Sequence, residues 1–218
     1  MLSAWPERKS RNPMLKTVYW ISTLCLTLFA GTAHASADLP SIQRGAHIAT
    51  EVCNGCHSLK YIKYKDLLSI GLTKDEVNTL RGEKNLGDPL KAQMAVNDAL
   101  AMFNVAPPDL SLMAEAREGG PHYIVELLTG FAPGADGQTT NRVFPGIKMP
   151  DIFGIAQADP AARKEIEQKA KDVAAFLEWT ADPQADARKR MGAGVLIYVA
   201  VLTVLFYLLK KKIWRRLK

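Results

Sequence analysis

The chain has 218 residues, of which 48% are hydrophobic and 23% are charged. That balance is typical of a globular protein and excludes an intrinsically disordered one. The formal net charge of +6 comes from the two ends, because residues 36–191 hold 18 basic and 21 acidic residues, a net charge of −3. A nucleic-acid-binding protein is therefore disfavoured, since it needs a basic face on its folded domain.

The N-terminus has the order of a secretory signal peptide. Four basic residues precede an apolar run from Val18 to Ala30, and Ala33-His34-Ala35 follows as an A-x-A cleavage site. An uncleaved membrane anchor is the alternative, but the run of about 13 residues is shorter than the roughly 20 that a membrane span needs. We predict that residues 1–35 are removed by cleavage after Ala35.

Two cysteines remain after cleavage, because Cys25 lies in the signal peptide. Cys53, Cys56 and His57 form C-x-x-C-H, the attachment pattern of c-type haem. In that pattern, two thiols bond the vinyl groups of one porphyrin and the adjacent imidazole binds the iron. We therefore predict one covalent haem c, attached outside the cytoplasm.

Two other uses of this motif compete with haem. A thioredoxin-like redox pair would need a βαβ pattern around it, whereas the flanking residues here have helical spacing. Half a zinc site would need two further ligands, and the remaining histidines of the mature chain are only His47 and His122.

The periodicity predicts an all-α domain with long loops. Apolar residues recur at helical spacing in segment 41–53, where Gly45 offers a point of close approach. A second helix is predicted over 161–180 and is ended by Asp182-Pro183. A capping box, Thr73 with Glu76, predicts a short helix to about Arg81.

A six-coordinate haem needs a second axial ligand, and methionine raises the reduction potential. Met149 lies in a loop with prolines on either side, which would hold its side chain in place. His122 is the second candidate and Lys148 a remote third. Core packing is expected for the three methionines with helical surroundings, which are Met94, Met102 and Met113.

A membrane span is predicted near the C-terminus. The run from Gly192 to Leu209 is eighteen residues without a charge, the lower end of the length that crosses a bilayer. Six basic residues follow it and three precede it, so the positive-inside bias predicts a cytoplasmic tail at 210–218. A buried core helix is the alternative, but it would not explain the six basic residues that follow the run. The domain then covers 36–187, and 188–209 form the membrane entry and the transmembrane helix.

Four segments, taken in order, resemble the cytochrome c1 family of the ubiquinol:cytochrome c oxidoreductase (cytochrome bc1 complex), in its bacterial type. They are Glu51-Val52-Cys53-Asn54-Gly55-Cys56-His57-Ser58, Pro107-Pro108-Asp109-Leu110-Ser111, Leu127-Leu128-Thr129-Gly130-Phe131 and Arg188-Lys189-Arg190-Met191-Gly192. The match covers the chain from about Arg44 to its C-terminus. The sequence departs from mitochondrial members of the family at Met149, where they read M-A-P-P and this chain reads Met149-Pro150-Asp151.

The resemblance implies His57 and Met149 as the axial ligands. It also implies that Pro108, Arg117 and Tyr123 lie at the haem edge, with Arg117 as a partner of a haem propionate. The alternative for Arg117 is a solvated charge on a helix.

The function implied is that of a one-electron carrier anchored in the inner membrane, with its domain in the periplasm. It would accept electrons from a Rieske iron-sulfur protein, lie beside cytochrome b in a dimeric parent complex, and pass the electrons to a cytochrome c. Such a subunit is not catalytic alone. Its rivals are a cytochrome of another respiratory complex or terminal oxidase, and an assembly protein that keeps the haem for structure only.

Overall fold

The structure is a computed structural model that describes residues 38–134 and 137–217. The predicted signal peptide lies outside the described residues. Helices account for about 61% of the structure and strands are few, which confirms the predicted all-α domain.

The described residues contain seven α-helices and four short strands. The helices are α1 (Leu39–Glu51), α2 (Lys74–Arg81), α3 (Val96–Phe103), α4 (Met113–Ala116), α5 (Pro121–Thr129), α6 (Pro160–Ala181) and α7 (Ala185–Arg216). The strands are β1 (Leu59–Lys63), β2 (Pro89–Leu90), β3 (Phe131–Pro133) and β4 (Thr139–Asn141). Three 3-10 turns lie at Cys53–Gly55, Tyr64–Ile70 and Ile155–Gln157. Each sheet is one antiparallel pair, β1 with β2 and β3 with β4.

The core lies where α1 crosses α6, and both helices occur where the periodicity predicts them. The apolar residues that defined the two stripes are buried, namely Ile42, Ala46, Ala49, Ile166, Ala170, Val173 and Leu177. Gly45 is the point of closest approach, since a Cβ built on it would lie 2.0 Å from the backbone oxygen of Asp172. The missing side chain therefore lets the two helix backbones touch.

A buried carboxylate fastens this crossing. Asp172 of α6 accepts hydrogen bonds from Nε and Nη2 of Arg44 at 2.7 and 2.9 Å, and from Gln168 at 2.9 Å. The Ser41 hydroxyl also donates to it. Burial alone would raise the pKa of Asp172, but the hydrogen bonds from Arg44, Ser41 and Gln168 outweigh burial and lower it below the usual range.

This shift predicts acid sensitivity of the crossing. A depressed folded pKa stabilises the domain at any pH above the unfolded value of about 3.9, and that contribution is lost as the pH falls through the folded pKa. We expect Asp172→Asn to lower the free energy of unfolding near neutral pH by about 1–3 kcal/mol and to flatten its fall in acid. Urea unfolding at a series of pH values measures both effects. Glu178→Gln, exposed on the same helix, is the matched control, and an equal effect there would contradict the prediction.

One long apolar helix follows the domain. Residues 187–216 of α7 have a mean hydropathy of 2.4 in their most apolar stretch, so this helix is long and apolar enough to cross a membrane. The helix continues to Arg216, through most of the predicted tail, because Lys and Arg favour helices and stabilise a helix C-terminus. The boundaries of the membrane entry and the transmembrane helix together, 188–209, stay a prediction.

Candidate functional site

The C-x-x-C-H segment begins directly after α1. The chain leaves that helix through the 3-10 turn Cys53–Gly55, in which the backbone oxygen of Cys53 accepts from the amides of Cys56 and His57 at 3.1 and 2.8 Å. Both cysteines are free, with Cys53 buried and Cys56 partly exposed. Burial raises the pKa of the Cys53 thiol to about 11, so this sulfur keeps its proton at neutral pH in the folded chain.

Asn54, between the two cysteines, holds the segment against the loop that follows β2. Its side chain is 1% exposed. In the orientation that satisfies both ends of the amide, Nδ2 donates to the backbone oxygens of His57 at 3.1 Å and Lys91 at 2.9 Å. The backbone oxygen of Asn54 accepts from Gln93 at 2.9 Å. Asn54 was not predictable from the sequence, because the motif leaves that position open and no periodic signal marks it.

The imidazole of His57 is oriented by the second motif. Nδ1 of His57 lies 2.8 Å from the backbone oxygen of Pro108. A carbonyl oxygen only accepts, so Nδ1 carries a hydrogen, and in the neutral imidazole Nε2 then has the lone pair. A histidine held in this way presents the nitrogen that binds a metal.

The P-P-D-L-S segment is fastened to the residues that follow His57. Three hydrogen bonds join them: Lys60 N to Asp109 Oδ2 at 3.0 Å, Tyr61 N to Ser111 Oγ at 3.1 Å, and Leu110 N to Ser58 O at 2.8 Å. Thr180 of α6 donates to the Ser111 backbone oxygen at 3.1 Å. The two motifs therefore form one unit anchored to the helix crossing.

Of the other predicted site residues, two contact the same core. Met149 and Tyr123 are partly buried and pack against the main hydrophobic cluster, as does Met113. Arg117 is exposed just after α4, the placement of a solvated charge, and its role toward a haem stays a prediction. Pro108 contacts His57 through its backbone oxygen.

The competing axial ligands are exposed. The His122 side chain is 77% exposed, with Nδ1 3.5 Å from Glu126 on the next turn of α5. Lys148 is exposed as well. The core packing predicted for Met102 is wrong, because Met102 is 65% exposed and α3 buries only Ala99.

The residues present fit a c-type haem. They supply two free thiols at the required spacing, an imidazole whose Nδ1 is oriented by Pro108, and a partly buried thioether. Zinc is a poorer fit, because among the described residues no three or more His, Cys, Asp or Glu side chains are grouped so that they could hold a metal ion.

Comparison with known proteins gives one consistent result. The family model described as "Cytochrome C1 family" matches residues 29–217. Cytochrome c1 of Rhodospirillum rubrum is 35% identical, with 83% of each chain covered. The mitochondrial cytochrome c1 heme protein of Neurospora crassa is also 35% identical, over 83% of this chain and 64% of the relative. "Cytochrome b/c1" of Bradyrhizobium diazoefficiens is 30% identical, over 81% of this chain and 33% of that longer protein.

Proposed function

The chain belongs to the cytochrome c1 family, as the order of its motifs predicts, and from this membership we propose that it is a membrane-anchored one-electron carrier. Its cofactor would be one haem c, bonded covalently through Cys53 and Cys56, with His57 and Met149 as axial ligands. The haem iron takes up and releases a single electron when it is bound. The residues of this chain hold the haem, set its potential and present its edge.

One observation carries the proposal most directly, the hydrogen bond between Nδ1 of His57 and the backbone oxygen of Pro108. It orients the imidazole and fixes its tautomer. A donated hydrogen bond from Nδ1 also makes Nε2 a better electron donor to a metal. Pro108 suits this task, because proline fixes its own φ angle and so limits movement of the carbonyl.

The proposed partners are those of a quinol:cytochrome c oxidoreductase. A Rieske iron-sulfur protein would donate the electron, a cytochrome c would accept it, and cytochrome b would be the membrane partner in a dimeric complex. The Bradyrhizobium relative supports the last of these, because its name joins cytochromes b and c1 in one protein. The net charge of −3 over residues 36–191 favours encounter with a basic soluble carrier.

The proposed location is the inner membrane, crossed once by α7. The larger number of basic residues after the apolar run favours a cytoplasmic C-terminus, so residues 36–187 would lie in the periplasm. Periplasmic export also requires the signal peptide proposed at residues 1–35. N-terminal sequencing of the mature protein tests the cleavage after Ala35.

Purification of the membrane complex from its own cells tests the proposal. We expect this chain to keep a haem on a denaturing gel, to co-purify with a cytochrome b and an iron-sulfur subunit, and to be reduced by added quinol. An inhibitor of the iron-sulfur subunit should abolish that reduction. A colourless chain whose two thiols both react with an alkylating reagent would overturn the haem assignment. Co-purification with oxidase subunits instead would favour another respiratory complex.

A further inference from the structure

The loop that carries Met149 is fastened at its start by a buried amide. Asn141, the last residue of β4, is 1% exposed. Its Oδ1 accepts from the backbone amides of Val143 at 2.9 Å and Phe144 at 3.1 Å, the first turn of the loop. Its Nδ2 donates to the backbone oxygen of Leu127 at 2.8 Å. One side chain therefore joins the loop to α5.

The end of α5 is shaped to receive this amide. A Cβ built on Gly130 would lie 2.7 Å from the backbone oxygen of Glu126 and 3.1 Å from Oδ1 of Asn141. Glycine thus makes room for Asn141 in the L-L-T-G-F segment. The Arg142 amide also donates to the Gly130 backbone oxygen at 3.0 Å, so side chain and backbone hold the same junction.

A single turn and one packed side chain separate this junction from Met149. The Ile147 amide donates to the backbone oxygen of Phe144 at 3.2 Å, which closes a turn containing Gly146 at φ +80°. Ile147 then packs against a second hydrophobic cluster, Phe131 with Ile155 and Ile166. Met149, two residues further on, reaches the main cluster. The position of Phe144, and hence the entry of the loop, is set by Asn141.

We propose that Asn141 is a positioning residue, which holds the loop so that the Met149 thioether stays on the haem iron. The inference rests on the proposed haem and on Met149 as its ligand. Loss of the amide would leave the Leu127 oxygen and two loop amides without this partner at a partly buried junction, which favours a rearranged loop. The iron should then be open to added ligands in a larger fraction of molecules.

Asn141→Ala in the full-length holoprotein tests the inference. We expect about a tenfold or greater rise in the affinity of the ferric haem for added imidazole. The weak long-wavelength absorption band of a thioether-bound ferric haem should fade in parallel. Thr140→Ala, an exposed neighbour in the same strand, is the matched control and should change neither quantity.

Three outcomes decide the matter. If Asn141→Ala keeps its covalent haem and helical circular dichroism but shows wild-type imidazole affinity, the positioning role is overturned. If the variant does not fold, Asn141→Ser decides in its place, because it keeps a polar side chain but removes the amide that joins the loop to the Leu127 oxygen; wild-type imidazole affinity there overturns the role, and a raised affinity supports it. If Met149→Ala itself leaves the band unchanged, the proposed ligand is wrong, which is distinct from failure of the Asn141 role alone.

Discussion

Replacing Met149 by alanine is expected to lower the reduction potential of the haem by roughly a tenth of a volt or more. A thioether stabilises ferrous iron relative to ferric iron, so its loss favours the oxidised haem. In the proposed haem site, the partly buried Met149 would also keep water from the iron, and alanine would admit it. A potentiometric titration followed by visible absorption measures the shift.

Three matched variants identify the ligand by elimination. Met102→Ala, His122→Ala and Lys148→Ala each remove an exposed side chain that could in principle bind iron. All three are expected to leave the potential and the spectrum at wild-type values. A shift in His122→Ala with none in Met149→Ala would assign a bis-histidine haem instead.

The helices that build the core were predictable from the sequence because their signals are local. The capping box is an example, in which the Thr73 amide donates to Glu76 at 2.7 Å and the Glu76 amide donates to Thr73 Oγ1 at 3.2 Å. Both partners lie within four residues, so residue types at a fixed spacing are sufficient to predict them. The stripes on α1 and α6 are similar, since a single periodicity defines each buried face.

The contacts that shape the candidate site were less predictable, because they join distant segments. His57 and Pro108 are 51 residues apart, and no spacing rule links them. Asn141 lies within a run of polar residues, 138–142, and nothing in the sequence distinguishes it from its neighbours. Only the fold brings Leu127 and Gly130 beside it. Motif order located the two segments of the site, but the hydrogen bonds that connect them required the structure.

The exposure of α3 could not be predicted from its composition. Its alanine and methionine content fits a packed helix, yet Val96, Leu100 and Met102 are all exposed. A helix of eight residues between two loops can be held by its ends, and here the Gln93 and Met94 amides just before it donate to the Cys53–Gly55 turn. Composition predicts the helix but does not predict that it lies on the surface.

Gly45→Ala is expected to destabilise the domain by about 3 kcal/mol, although the substitution usually stabilises a helix by roughly 1 kcal/mol. The sign reverses because the new Cβ would lie 2.0 Å from the Asp172 oxygen and 2.8 Å from Cβ of Phe176. Backbone cannot move aside as a flexible side chain can, so α1 and α6 must separate. Thermal unfolding of the holoprotein, with Gly87→Ala as an exposed control that has open space around its Cβ, measures the difference.

The same variant connects the helix crossing to the haem site. Only Val52 lies between the end of α1 and Cys53, so a displaced α1 shifts the whole attachment segment. We therefore expect Gly45→Ala to weaken haem incorporation as well as stability, with less covalent haem per chain on a denaturing gel. Unchanged stability in Gly45→Ala would mean that the helices do not meet at this glycine. A loss of stability with full haem incorporation would mean that the attachment segment is held by Asn54 and Pro108 without help from α1.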